Sequence, residues 1–459
     1  MKKFTVKPRL LTRKQIVLGG ADDGSQAWIF LGRLAETGQL TDVRLDAWYP
    51  HVIAIFGKRG SGKSYTLGSM LEGLCTQRGE SSISLIGRDR AVLLFDTLGI
   101  FQWSDMSLAN ADQGGVIGEQ RAAWRGWDLQ PEALDVQIWI PRGTRLGTTP
   151  TTHREFSVRT SDFSAADWGY LLNLDIYQDR MGQLLNDAYL KVTGEGWTAE
   201  GVPKAAKTAY SLDDLIRCVK LDSEIQSSYQ AETRRAVLQQ LITYRRNALF
   251  QDEGTPLADL LTGGRMSVLV MNRMSEPLRL VVVSALIRRI LDARMQASEV
   301  EKHMAIRGEL PAEEASRTEV GIAERIPPTW VALDEAQNVL PSDRRSAAGD
   351  VLVRFVREGR NYGLSFAVAT QQPTALDARF LSQVDTLITH KLTVQGDIDY
   401  VRRNLKSSLP EEVRHANRVL ALDDLLRTLD VGQALVSNTE TERALIVDVR
   451  PRVSVHGGF

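Results

Sequence analysis

A chain of 459 residues with 43% hydrophobic content can bury a large core or two domains. Lysine and arginine total 56 against 57 aspartates and glutamates, which excludes a uniformly basic coat for nucleic acid but allows a few inward cations along a pore. No stretch approaches the roughly 18 consecutive apolar residues of a membrane span, and the basic start Met1–Pro8 lacks the apolar segment of a secretory signal, so a cytoplasmic protein without membrane contact is expected. Cys75 and Cys218 give neither a disulfide framework nor a metal cluster and read as small buried hydrophobes.

In chain order, residues 1–50 read as a small β-rich segment. The runs 15–18 and 27–31 are short, apolar and closed by glycine. The apolar run 52–56 then leads into Gly57-Lys58-Arg59-Gly60-Ser61-Gly62-Lys63-Ser64, and a helical pattern follows from Ser64 to about Gln77. Strand, glycine-rich loop, Lys-Ser and helix in that order form a phosphate-binding loop. Gly57, Gly60 and Gly62 let backbone N–H groups curl around a β-phosphate. Lys63 is expected on the β- and γ-phosphates and the Ser64 hydroxyl on Mg²⁺. The nucleotide-binding stretch is therefore placed at Gly57–Tyr65.

Further apolar runs at 91–95, 136–140, 266–271, 330–333, 364–369 and 385–388 alternate with helical patterns, which predicts an α/β core with a mostly parallel sheet. Between about 162 and 262 apolar positions recur at helical spacing, through Trp168, Leu171, Leu184, Leu185, Leu215 and Val219. This predicts an all-helical insertion whose aromatic and methionine positions are core. The expected division is a β-rich start (1–50), a nucleotide-binding core in two parts (51–161 and 263–440), the insertion (162–262) and a C-terminal arm (441–459). The charged stretch 298–326 reads as an exposed loop or a frayed helix extension.

The run 330–333 ends in Asp334-Glu335. At a strand tip both carboxylates reach the phosphate crevice: Asp334 is expected to hold Mg²⁺, and Glu335 to polarise the attacking water. The run 364–369 ends in Thr370-Gln371-Gln372, which makes Gln371 the candidate sensor of the γ-phosphate.

The segments GKRGSGKS, FDTLG, ALDEAQ, VREGRNYGLS, ATQQP and LSQVDTLITHKL, in this order over residues 45–459, resemble the HerA/FtsK superfamily of DNA-pumping ATPases, and the HerA branch most closely. The resemblance implies a RecA-like core, ATP hydrolysis, a homohexameric ring and movement of double-stranded DNA through its pore. It also implies a partner, a nuclease or another effector enzyme, in DNA end processing or anti-phage defence. It implies an acidic position at Asp96 near the nucleotide, where a solvated strand-end aspartate is the alternative, and an arm at 450–458 that reaches a neighbouring subunit's nucleotide. The family's N-terminal barrel, its usual docking surface, is usually longer than the fifty residues before this loop, so the resemblance leaves open which partner docks there. Arg360, in a segment with Arg354 and Arg357, is the candidate finger into an adjacent site, with Arg357 second. Lys391, Arg402, Arg403 and Lys406 are the basic candidates for DNA contact, with a solvated basic face as the equal alternative. Two other readings remain open at this point: a secretion or pilus-type ATPase, and a ring that assembles an effector without translocating.

Overall fold

The structure is a computed structural model that describes residues 15–20, 27–35, 41–109, 114–307, 326–342, 347–404, 412–415, 418–439 and 443–458. Lys406 and residues 308–325 of the charged stretch lie outside the described residues.

The run Val52–Phe56 forms a strand buried at every position, and so do Ala91–Asp96, Met266–Val270, Thr329–Leu333 and Leu364–Thr370. A strand apolar along its whole length needs cover on both faces. Here Val52, Ala54 and Phe56 face one core and Ile53 and Ile55 the other. The helix Lys63–Glu72 covers the second face through Leu67, Met70 and Leu71, and the long helix Glu276–Arg307 covers the first.

These strands belong to one fourteen-stranded sheet. Eight neighbours are parallel, in the order Thr386–Thr389, Val52–Phe56, Leu364–Thr370, Thr329–Leu333, Ala91–Asp96, Met266–Val270, Val136–Pro141 and Arg154–Phe156. Parallel order brings the C-terminal ends of the four central strands, Phe56, Thr370, Leu333 and Asp96, to one edge of the sheet.

Beyond Thr386–Thr389 the sheet turns antiparallel through Gln433–Asn438, Arg443–Val449 and Trp28–Leu34, and Asp42–Asp46 and Gln15–Leu18 follow. Among the described residues the β-rich start is continuous with this sheet. It extends the central sheet, because Trp28–Leu34 hydrogen-bonds to the last strand of the chain. Gly32 permits this approach; a Cβ there would lie 2.1 Å from the Asp448 carbonyl oxygen.

Between Arg154–Phe156 and Met266–Val270 lie the helices Ala165–Leu172, Arg180–Leu190, Leu212–Leu221 and Ala231–Arg245. Two begin in capping boxes, Ser164 with Asp167 and Ser211 with Asp214. Trp168 is fully buried, and its indole N–H donates to the Tyr210 hydroxyl at 2.7 Å. The segment is not helical throughout: Trp197–Ala199 and Val202–Lys204 form a short hairpin, too brief for alternation to show in sequence. The helix Glu276–Arg307 runs ten residues into the charged stretch, as the helix-extension reading allowed, and its Ala297 and Ser298 are buried.

Candidate active site

The loop hangs between two strands. Gly57 N–H donates to the Thr370 carbonyl (3.3 Å) and Lys58 N–H to the Lys391 carbonyl (3.0 Å). Gly62, at φ +109°, turns the chain into the helix Lys63–Glu72, a conformation that disfavours any side chain with a Cβ. Beneath the loop, buried His390 receives the Thr66 hydroxyl at Nε2 (2.8 Å) and donates from Nδ1 to the Gln433 carbonyl (2.7 Å). Burial lowers its pKa to about 4, so the ring is neutral at pH 7. Lys58, Arg59 and Gly60 stand exposed at the loop tip, whereas Ser61, Lys63 and Ser64 are buried.

Across the crevice, Lys63 Nζ lies 2.9 Å from Glu335 Oε1. Gln371 donates to the same oxygen at 2.6 Å and Gln337 to Oε2 at 2.6 Å; the Thr370 hydroxyl donates to Gln337 Oε1 at 2.7 Å. Burial opposes the Glu335 charge, but the donors Gln337, Gln371 and Lys63 outweigh it and hold the carboxyl below the usual glutamate range. Glu335 also sits at φ +54°, a left-handed conformation uncommon for a residue with a side chain and typical of functional sites. Ser64 donates to Asp334 Oδ1 at 3.2 Å, and Asp334 Oδ2 is buried without a hydrogen-bond partner among the described residues. Burial pushes Asp334 up to about 7, aided by the Glu335 and Asp96 charges and opposed by Lys63.

The structure therefore gathers Lys63, Ser64, Asp334, Glu335 and Gln371 into one cluster. Gln337 belongs to it as well, His390 braces the loop through Thr66, and sequence reasoning gave neither a role. Gln337 closes the ALDEAQ segment and His390 lies in LSQVDTLITHKL, but only their contacts in the fold show what each side chain does. Asp96 is neither solvated nor turned to the crevice. It is fully buried, its oxygens take the backbone N–H groups of Gly99, Ile100 and Phe101 at 2.8–3.1 Å, and burial raises it to about 6 against those bonds.

Arg360 lies at the other end of the sheet from its own loop, in a 3₁₀ turn (Gly359–Tyr362), because the α-helix ends at Glu358. Its guanidinium pairs with buried Asp385. Arg354 and Arg357 both pair with Glu358 (3.0 and 3.1 Å). Arg402 pairs with Asp423, and Arg403 donates to the Asp399 carbonyl (3.2 Å).

The C-terminal arm docks on its own chain. Arg450 and Arg452, both fully buried, pair with fully buried Glu72 on the loop helix at 3.3 and 2.9 Å. His456 and Gly458 line the same cavity as the phosphate loop, a space of about 1280 Å³.

The family model for the helicase HerA central domain (DUF87) matches residues 29–290, more than half of the chain. The chain belongs to the HerA helicase family. Curated relatives include the DNA double-strand break repair helicase HerA of Pyrococcus furiosus, 24% identical over 187 residues (40% of this chain, 34% of the relative). The protein of the same description in Sulfolobus acidocaldarius is 22% identical over 239 residues (50% of this chain, 41% of the relative). A probable helicase of Methanocaldococcus jannaschii is 29% identical over 134 residues, 28% of this chain and 24% of that protein. The chain thus spans well under half the length of these HerA-family relatives. Among solved structures, VirB4 of Thermoanaerobacter pseudethanolicus superimposes with a TM-score of 0.50 at 14% identity, covering 94% of this chain and 98% of that one. This likeness bears out the RecA-like P-loop core. No helix among the described residues is long and apolar enough to cross a membrane.

Proposed function

We propose that this chain is the ATP-hydrolysing motor of a homohexameric ring that moves double-stranded DNA. One observation carries the hydrolytic reading: the loop lysine, a charged glutamate and two amide side chains form one hydrogen-bonded cluster at the C-terminal edge of a parallel sheet. The names of the curated relatives support DNA as the substrate.

A triphosphate in the loop competes with Glu335 for Lys63, which turns to the β- and γ-oxygens and leaves the carboxylate free. Glu335 then accepts a proton from the attacking water as its oxygen bonds to the γ-phosphorus and the bridging bond to the β-phosphate breaks. Gln371 and Gln337 fix the carboxylate for that step. The donor set suits Mg²⁺: the Ser64 hydroxyl and the carboxylate of Asp334, whose Oδ2 has no hydrogen-bond partner among the described residues, are adjacent hard oxygens beside the loop, and a nucleotide supplies the remainder. Bound Mg²⁺ would neutralise charge on the β,γ-oxygens. Arg360 stands at the edge of the sheet opposite its own loop; we assign it to the neighbouring subunit's site, released from Asp385 on ring assembly. A nuclease or another effector enzyme, in DNA end processing or anti-phage defence, is the partner class this motor fits.

The test is the rate of ATP hydrolysis with and without linear duplex DNA, beside native mass measurement. DNA-stimulated turnover in a ring is expected. Glu335→Gln should retain ATP and lose about 10²–10⁴ in rate. A strictly monomeric chain whose turnover ignores DNA would overturn the motor, and Glu335→Gln turning over at the wild-type rate would remove Glu335 from the chemistry.

A further inference from the structure

The cavity at the phosphate loop has two ends of different chemistry. The loop, Lys63, Ser64, Glu335 and Gln371 make one end charged and polar. The other is walled by Tyr65, Ile100, Trp127, Val449, Pro451 and His456, with only a few polar groups among them. At about 1280 Å³ the whole exceeds the roughly 300–1,000 Å³ of common small-molecule pockets, so the phosphates fill only part of it.

The second end is built and braced. The Gln120 side-chain amide and the His456 backbone exchange two hydrogen bonds, Nε2 to the carbonyl at 2.8 Å and N–H to Oε1 at 2.9 Å. Trp124 Nε1 donates to the Arg452 carbonyl at 2.8 Å, and the Tyr65 hydroxyl accepts from Arg452 N–H at 2.8 Å. The Tyr65 and His456 rings meet edge to face, with centroids 5.3 Å apart. Trp127 is held from behind by Phe30 (6.2 Å between rings) and by Arg33, 5.0 Å above its centroid. Aromatic walls fixed in this way accept a flat ring with little loss of side-chain freedom.

His456 also has a defined hydrogen-bonding sense. Arg452 Nη1 lies 3.3 Å from Nδ1, and a guanidinium only donates, so Nδ1 accepts and the neutral ring carries its proton on Nε2. Burial first, and the Arg452 charge second, lower His456 to about 3, which keeps it neutral. Nε2–H is thus the ring's hydrogen-bond donor, and the Glu119 carboxylate, an acceptor, lines the same cavity.

We propose that the slot between Tyr65, Trp127 and His456 is the base-recognition subsite of the nucleotide site, that it selects purines over pyrimidines, and that the chain's own C-terminal tail forms its wall. The assignment rests on the phosphate-loop reading above and adds to it the part of the ligand that the loop does not touch. Selection follows from area: a second fused ring extends the stack, whereas a pyrimidine leaves part of the slot to water.

The test uses the full chain and four probes, ATP, GTP, CTP and inorganic tripolyphosphate, in binding competition. The wild-type chain should hold ATP and GTP about tenfold or more above CTP. His456→Ala and, separately, Trp127→Ala should each weaken ATP about tenfold while tripolyphosphate binding stays unchanged, which also reports that the loop remains folded. Unchanged ATP affinity in both variants would overturn the slot alone, and so would equal wild-type affinity for ATP and CTP. A variant that loses tripolyphosphate and ATP in equal proportion would likewise contradict a base-specific role. A wild-type chain that binds neither ATP nor tripolyphosphate would overturn the phosphate loop and the slot together.

Discussion

Replacing Glu72 with glutamine tests whether charge clamps the C-terminal arm to the loop helix. The Glu72, Arg450 and Arg452 side chains are all 0% exposed. Glu72 Oε1 accepts from Arg452 Nε (2.9 Å), Ser454 N–H (3.1 Å) and the Ser454 hydroxyl (2.6 Å). Oε2 accepts from Arg450 Nη1 (3.3 Å) and Val453 N–H (3.0 Å). Burial opposes the carboxylate charge, but Arg452 and Arg450 overcome it and hold the pKa below the usual glutamate value, so this stabilisation is present at neutral pH and fades only as pH falls through that lowered value. An amide removes the counter-charge of two buried guanidiniums and turns N–H groups toward existing donors. Breaking a buried pair typically costs about 3–5 kcal/mol. Arg450 keeps the Phe30, Pro451 and Ser69 carbonyls, and Arg452 keeps the Ser104 and Ser454 hydroxyls, so the lower figure applies. With an unfolding entropy of about 2.1 cal/mol/K per residue, a cooperative unit of 459 residues loses about 3 °C in Tm for about 3 kcal/mol. Calorimetry of Glu72→Gln, Arg452→Gln and the double variant reads both the loss and the coupling. A midpoint within about 1 °C of wild type, or losses that simply add, would refute the clamp.

Lys63→Ala should abolish binding of both ATP and tripolyphosphate, measured by calorimetric titration; retained tripolyphosphate binding would deny the lysine its phosphate role. Gln337→Ala should lower kcat by about tenfold or more with ATP affinity preserved, since it removes a donor from Glu335 Oε2 without touching the loop. Acid should destabilise the chain through His390. Its folded pKa of about 4 lies below the ordinary 6.5, so its contribution is complete above 6.5 and is lost as pH falls, by about 3 kcal/mol at pH 4. Urea titrations at pH 7 and pH 5 should differ less in His390→Gln than in wild type; an equal difference would clear His390 of that effect. Mixing Arg360→Ala with Glu335→Gln subunits, each inactive alone, should restore ATP hydrolysis at junctions where an intact site meets an intact arginine. Verified subunit exchange without activity would count against a simple trans arginine.

The central sheet was legible because fully buried strands show as unbroken apolar runs, and the chemistry because it sits at their ends: Lys63, Asp334, Glu335 and Gln371 each directly follow or close such a run or its loop. Parallel order then brings them together whatever the intervening length, which is why 270 residues between Ser64 and Asp334 do not hide the pair. What stayed hidden depends on contacts between distant segments that have no local period. The pairing of Trp28–Leu34 with Arg443–Val449 leaves no trace in either strand, so the sequence did not show which strand the β-rich start would join. Nothing in the sequence near Arg450 and Arg452 names their partner, Glu72 on the loop helix, which only the fold supplies. Asp385 is the sharpest case. It opens the strand run 385–388 in sequence, yet its Oδ2 accepts both Arg360 and the N–H of Val52, the first residue of the loop-bearing strand. One carboxylate thus joins the arginine assigned to a neighbouring site to the strand that carries this chain's own phosphate loop. An arginine that leaves Asp385 to serve another subunit leaves a buried charge facing the start of that strand, so the two ends of the sheet cannot be energetically independent.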